Sequence, residues 1–469
     1  MAEGSAEREV LKAEKDFSPQ LDKELPDIVA LAKSGGGLNL PQAIEKLMML
    51  EKQTRQASDL PSTTRILETI VTLCKESGDW NLMNENVQIL SKKHGQLKIA
   101  ITKMVQLVMT FLPETPNIET KLAVIDTLRV VTEGKIFVEV ERARITRELS
   151  NIKKSQGNLG EAKNVLCELQ VETFGSMDRK EKTDFILLQV GLCIEHGDYG
   201  QALILSRKIS TKWFTTEPSK KDQEIMELKL RFYEQQIQLS KQDSKYLDAC
   251  KNYRAILDTP SIMADDEKLK VILERIIYYV ILAPYDNEQS DLLHRIHADP
   301  NLLRLVPQQD ELLKSFTIIE LMPWSRVAQR FETMLRATEV FGVDDPKGPK
   351  RWEDLRKRVI EHNVRVVGKY YTRITMDRLK SLLDLDEDET ETYLSKLVCE
   401  KTVNAKIDRP ARIITFGQAR DADDVLNEWS GNMKSLLGLL ERVDHLITKE
   451  EMMANIAPKI KSKGKGVGK

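Results

Sequence analysis

Residues Phe185 to Ile209 read FILLQVGLCIEHGDYGQALILSRKI: two apolar runs on either side of a Gly-Asp-Tyr turn. Phe185 to Ile194 has the density of a buried helix face, and Ala202, Leu203, Leu205 and Ile209 supply the face of a second helix. Gly197 suits the left-handed residue that ends a helix, Asp198 suits the cap of the next, and Ala202 is small enough to let paired helices approach closely. The segment therefore reads as a helical hairpin. One hairpin cannot cover its own apolar face, so its neighbours should resemble it.

They do. Gly-Asp-Trp stands at Gly78 to Trp80 and Gly-Asn-Leu at Gly157 to Leu159. Alanine follows three residues after the leading Leu or Tyr at Leu40/Ala43, Leu159/Ala162, Tyr199/Ala202 and Tyr246/Ala249, with Met83 replacing it after Trp80. A period near forty residues predicts a tetratricopeptide-like solenoid. The alternative is ordinary helix-turn-helix punctuation recurring by chance, in which case the helices would stack without repeat symmetry.

Composition agrees with a mainly α, multi-unit protein. The 469 residues suffice for about three folding units, and 22 glycines with 16 prolines fall below usual frequencies. The formal net charge of −2 leaves no global positive excess to hold a polyanion. The start, MAEGSAEREV, is polar and charged, and the longest apolar run, Ile276 to Ala283, has eight residues against the ~20 that span a bilayer. Neither secretion nor membrane insertion is expected. Cys74, Cys167, Cys193, Cys250 and Cys399 are odd in number and set in apolar helical patterns, so they read as buried free thiols in a reducing compartment.

Beyond the loop Phe341 to Lys350, a long helical pattern runs from Arg351 to about Tyr370, and then the period changes. Thr375 can cap a short helix carrying Leu379, Leu382 and Leu383, and Asp386 with Glu389 resembles a capping box for a second carrying Tyr393, Leu394, Leu397 and Val398. Val403 to Ile407 and Arg412 to Phe416 then alternate around a turn containing Pro410, as two strands would. Helix, helix and hairpin make a winged helix. Such modules lay the second helix in a DNA groove, but Asp384, Asp386, Glu387, Asp388, Glu389 and Glu391 crowd its start and would repel phosphate. Lys401, Lys406, Arg409 and Arg412 on the wing leave a residual case for backbone contact.

The last helix, about Asp424 to Ile456 and roughly 50 Å long, places Leu426, Trp429, Met433, Leu436, Leu440, Val443 and Leu446/Ile447 at alternating spacings of three and four. Gly431 and Gly438 lie on the opposite face, each costing about 1 kcal/mol relative to Ala. Seven large apolar groups at roughly 2 kcal/mol each outweigh them, so the seam needs a cover: this chain's own solenoid, or helices of other subunits.

Chemistry-bearing motifs are absent: no G-x-x-x-x-G-K-[ST], strand-borne G-x-G-x-x-G, H-E-x-x-H, G-x-S-x-G or paired C-x-x-C occurs. His294 and His297 could share a helix face without a convincing third ligand, so a cryptic metal hydrolase is disfavoured. No catalytic, cofactor-binding or metal-binding residue is expected. The Lys459, Lys461, Lys463, Lys465 and Lys469 tail reads as a solvated end, with a localisation signal as the alternative.

Several stretches resemble one family: TEGKIFVEVERARITREL (Thr132 to Leu149), ELQVETFGSM (Glu168 to Met177), YVILAPYDNEQSDLLHRI (Tyr279 to Ile296), RWEDLRKRVIEHNVRV (Arg351 to Val366) and KYYTRITMDRLKSLLDL (Lys369 to Leu385). They are similar to the non-ATPase subunit 12 family of the 26S proteasome, PCI-domain components of the regulatory-particle lid. The fourth subunit of the COP9 signalosome is the nearest paralogue. The Gly35 to Gly37 run and the Lys/Gly tail depart from the family pattern.

The resemblance implies a disordered start (1–19), a solenoid arm (20–240), a PCI module with a helical part (241–369) and a winged helix (370–417), a bundle helix (418–457) and a disordered tail (458–469). It implies a non-catalytic scaffold in the cytoplasm and nucleus, needed for lid assembly and ATP-dependent degradation of ubiquitinated proteins. Its partners would be other lid PCI subunits and the lid metalloprotease deubiquitinase, with the base or core particle reached through the arm, and no nucleic acid or membrane. By the family's side-by-side arrangement, the winged-helix sheet residues Val403, Ala405, Ile407, Ile414 and Phe416 are expected at one interface. The seam residues Leu426, Trp429, Met433, Leu436, Leu440, Val443 and Ile447 are expected at another.

Overall fold

A computed structural model describes residues 17–33, 40–216, 222–343, 345–417 and 422–463, the last segment with side chains to residue 454. The Gly35 to Gly37 run, the extreme amino terminus and the Gly464 to Lys469 end lie outside the described residues. The chain divides into two compact units, Met1–Leu269 and Lys270–Lys469.

The first unit is a stack of antiparallel helices. Leu40–Gln56, Leu60–Glu76, Trp80–Lys92, Lys98–Phe111, Ile118–Thr132 and Glu139–Ser155 lead to Leu159–Cys167, Arg179–His196, Tyr199–Ser206, Gln223–Gln242 and Tyr246–Leu257. Several helices pack on the next but one as well as on the next, Leu60–Glu76 on Lys98–Phe111 and Arg179–His196 on Gln223–Gln242 among them. That is the contact pattern of a solenoid, in which each hairpin is covered by its neighbour.

One turn recurs. At Gly78, Gly157 and Gly197 φ is +74°, +85° and +88°, and the following residue donates its amide five residues back: Asp79 to Cys74 O, Asn158 to Lys153 O, Asp198 to Cys193 O. This bond closes the last helical turn with a left-handed residue, which only glycine adopts without strain. Asp79 and Asp198 then cap the next helix through Leu82 N and Gln201 N, whereas Asn158 makes no side-chain cap. Two further copies use serine: Ser58 and Ser244 have φ of +55° and +56°, with Asp59 N bonding Thr54 O and Lys245 N bonding Ser240 O. Ala43, Ala162, Ala202, Ala249 and Met83 are all buried at the helix contacts. The expected border at residue 240 falls inside the hairpin formed by Gln223–Gln242 and Tyr246–Leu257, whose helices pack closely, so a division there would expose both faces.

In the second unit, Asn287–His297, Pro307–Thr317 and Trp324–Arg336 precede Gly348–Tyr370. Asn363 of that long helix clamps a loop, accepting from Met322 N at 3.0 Å and donating to Met322 O at 2.9 Å. Buried Arg351 donates to Val340 O at 2.9 Å and pairs with Asp345 at 2.7 Å. Helix Met376–Leu383, helix Glu387–Cys399 and a three-stranded antiparallel sheet follow. The strands are β1 Arg373–Thr375, β2 Ala405–Asp408 and β3 Ile413–Phe416, with β3 central. Each hairpin strand starts later than its alternation suggested, β2 at Ala405 and β3 at Ile413, β2 runs one residue further to Asp408, and β1, unforeseen, pairs Ile374 with Ile414. Thr375 and Asp386 precede the two helices as expected, but neither makes a side-chain cap bond.

Three other expectations need correction. The helix Ser18–Lys33 starts inside the segment expected to be disordered, and the final helix runs Ala422–Lys463, past the border expected at 457. Cys399 is exposed and Cys167 only half-buried, each being the last residue of its helix; Cys74, Cys193 and Cys250 are buried.

Candidate interaction surfaces

The winged-helix sheet has one covered face. Ile374, Ile414 and Ile407 lie in one cross-strand row, and Phe416 pairs with Ala405 beside it. Alternation puts all five on the side packed against Leu379, Leu383, Leu394 and Leu397 and against Ile360, Val364 and Val367 of the long helix. Ile414 is wholly buried, Phe416 and Val403 nearly so, while Ala405 and Ile407 are half-buried. Of the side chains expected at an interface, Val403, Ile414 and Phe416 are buried in the module's own core, and Ala405 and Ile407 pack half-buried against it: alternation identifies an apolar face but not what covers it. What the sheet leaves to a neighbour is backbone, since β2 is an edge strand whose other face presents Lys406 and Asp408.

The charged start of the second helix is answered within the module. Arg409 pairs with Glu391 at 2.5 Å, and Arg412 with Glu387 at 2.5 Å and Asp377 at 3.8 Å. The Arg412 hydrogen bond holds the Glu387 carboxyl below its ordinary range and raises Arg412 in turn. Two of the four wing cations that left a residual case for backbone contact are thus paired with carboxylates. Among the described residues no group of three or more potential metal ligands occurs, and His294 and His297 share helix Asn287–His297 without a third.

The carboxyl-terminal helix differs from every other element. Its 42 residues give a rod about 63 Å long, and each residue with a described side chain, Ala422 to Ala454, is exposed. The seam is consequently open: from Met433 at 43% to Trp429 at 63%, Leu426, Leu436, Leu440, Val443 and Ile447 all face solvent. Val425, Leu437, Leu439 and Leu446 are exposed beside it, widening the apolar stripe to about half the circumference at ~100° per residue. The pattern breaks after Ile447, where Lys449, Glu450 and Glu451 precede Met452 and Met453. The other face carries Lys434, Glu441 and the two glycines, and a Cβ at Gly431 or Gly438 would meet nothing within 4 Å. So large an exposed stripe makes this helix a candidate interaction surface. The spacing in the sequence marks the stripe, and the exposure of its side chains is what the structure adds.

Known proteins match along these same segments. Residues 42–265 match the family model described as PSMD12/CSN4, N-terminal; residues 332–418 match the PCI domain; residues 423–455 match the 26S proteasome regulatory subunit RPN5 C-terminal domain. The chain is 48% identical to the 26S proteasome regulatory subunit rpn501 of Schizosaccharomyces pombe over 429 residues, covering 91% of this chain and 95% of that protein. It is 46% identical to RPN5 of Saccharomyces cerevisiae over 452 residues, covering 96% and 99%. Subunit 4 of the COP9 signalosome from Dictyostelium discoideum is 22% identical over 412 residues, covering 86% and 97%, which separates the two paralogous groups by a wide margin. The exposed helix is thus the segment that has a domain description of its own, and the chain belongs to the family of 26S proteasome regulatory subunits named RPN5 or non-ATPase regulatory subunit 12.

Proposed function

We propose that this chain is a non-catalytic scaffold of the 26S proteasome regulatory-particle lid, required for lid assembly and so for ATP-dependent degradation of ubiquitinated proteins. The observation that carries this reading is the open seam of Ala422–Lys463, in a chain nearly half identical to named proteasome regulatory subunits. Mechanistically, binding free energy is distributed over long interfaces. Seven seam residues, each already about half exposed, contribute on the order of 10 kcal/mol when helices of other lid subunits cover them. That is comparable to the free-energy cost of fixing one chain against another, so a single helix contact is marginal and the winged helix and arm must add to it.

Partners in this reading are the other lid PCI subunits and the lid metalloprotease deubiquitinase, with the edge of β2 as the site of side-by-side contact and the arm reaching base or core particle. Catalysis belongs to those neighbours. Purifying the native complex through this chain and identifying its companions by mass tests the proposal: lid subunits in stoichiometric amount support it, and a signalosome set or no companions refutes it. A mobility-shift assay with the full-length chain separates scaffold from nucleic-acid regulator, with no shift expected even at about 50 mM salt.

A further inference from the structure

Cys167 and Cys193 meet at the junction between two successive hairpins of the arm. Cys167 ends the helix Leu159–Cys167, which is paired with Glu139–Ser155; Cys193 lies in Arg179–His196, which is paired with Tyr199–Ser206. Their sulfurs are 3.7 Å apart, in contact across 26 residues of sequence. The two helices are held in this register independently of the thiols. Gln189 donates to Leu166 O at 2.8 Å and to Leu169 O at 3.1 Å, and Lys163 pairs with Asp198 at 2.9 Å. A disulfide needs about 2.05 Å between sulfurs, so closure has to shorten the 3.7 Å contact.

The two thiols differ in exposure, and exposure assigns their roles: the more accessible Cys167 meets the oxidant first, and the buried Cys193 resolves it. Cys167 is half-buried; its sulfur–sulfur contact with Cys193, and then the Lys163 cation, hold its thiol below the ordinary value. Cys193 is buried, and that same contact together with burial pushes it up. Burial raises Cys74 to about 11 and Cys250 to about 12, which disfavours their reactive thiolates at neutral pH.

We infer that Cys167 and Cys193 form a hydroperoxide-sensitive dithiol that closes to an intramolecular disulfide, tying the two hairpins together. In the first step the Cys167 thiolate attacks a peroxide oxygen; the O–O bond breaks, Cys167 becomes a sulfenic acid, and hydroxide leaves to take up a proton as water. Cys193 then attacks the sulfenic sulfur, forming the S–S bond and expelling hydroxide, which takes the Cys193 proton and departs as water. Two thiols lose two electrons and the peroxide is reduced to two waters.

The test uses the full-length chain treated with hydrogen peroxide, alkylated and digested without reductant. A peptide pair joined at Cys167 and Cys193, lighter by two hydrogens and separated by dithiothreitol, is expected, and equally so in Cys399→Ser. In Cys193→Ser the reaction should stop at Cys167 sulfenic acid, captured by dimedone. Bridges through Cys399 alone, a wild-type Cys167 carried to sulfinic acid with Cys193 unchanged, or a Cys167 that never oxidises would each overturn the inference. The wild-type digest decides even where the serine variant folds poorly.

Discussion

Replacing Leu436 and Leu440 together by Asp should abolish assembly and leave the isolated chain folded. Both side chains lie in the middle of the seam, 52% and 58% exposed, so roughly half of each remains to be buried by a partner. Losing that burial costs about 1 kcal/mol per residue, and forcing two unpaired carboxylates into an apolar contact adds several kcal/mol each. Together they amount to more than about 6 kcal/mol, or over four orders of magnitude in dissociation constant at ~1.4 kcal/mol per tenfold. In the chain alone the same substitutions touch solvent, where surface changes typically stay within about 0.5 kcal/mol per site. The assay is paired: thermal unfolding and circular dichroism of the purified variant, and its recovery in affinity-purified proteasome complexes against wild type. Lys434→Ala with Glu441→Ala, on the other face, is the control and should assemble normally. Global unfolding of the double variant would show that the seam is covered within the chain; undiminished incorporation would show that the helix is not the docking element. Either result refutes the reasoning.

Further outcomes concern the supporting fold. His362 is buried, and desolvation, then repulsion by Arg365, lower it to about 4 from the ordinary 6.5. Below pH 6.5 the unfolded chain binds a proton that the folded one refuses, so this contribution to stability is intact above 6.5 and lost progressively down to about 4, on the order of 3 kcal/mol in all; unfolding titrations of wild type and His362→Asn should diverge across that window. Arg351→Ala removes the side-chain donor of Val340 O and the ion pair with Asp345 and should cost about 3 kcal/mol or more, read as a lowered midpoint in urea, with Arg351→Lys only partly restoring it because a flexible ammonium is not placed as the rigid planar guanidinium is. Gly197→Ala, at φ +88°, should destabilise the arm by about 1–2 kcal/mol in the same assay, whereas Ser58→Gly relieves a comparable strain and should not.

The arm was readable where the turn needed glycine. Gly78, Gly157 and Gly197 announce a left-handed residue by chemistry, and the buried alanines beyond them set the approach of the helices. Ser58 adopts the same conformation without a composition cue, so the sequence hid that copy and made the period look coarser than it is. Strand β1 is three residues long and takes its identity from pairing with residues some forty positions away, which no local pattern encodes. On the sheet, Ile407 and Ile414 alternate as a buried face should, and only three-dimensional packing shows that the module's own helices lie against it. The seam was legible because Leu426 to Ile447 holds its three-four spacing with few polar interruptions. Its openness was not, since a helix stripe reads the same whether its cover is internal or foreign. Cys167 and Cys193 were seen separately as core thiols; their contact crosses a turn and a helix, beyond what spacing conveys.

Hydrogen exchange of the wild-type chain, alone and within the purified proteasome, tests the central claim most directly, since it needs no substitution. Backbone amides of Asp424 to Ala454 should exchange rapidly in the free chain, where every side chain of that helix faces water, and become strongly protected on assembly, while the arm changes little. Equal protection of this segment in both states would contradict the account.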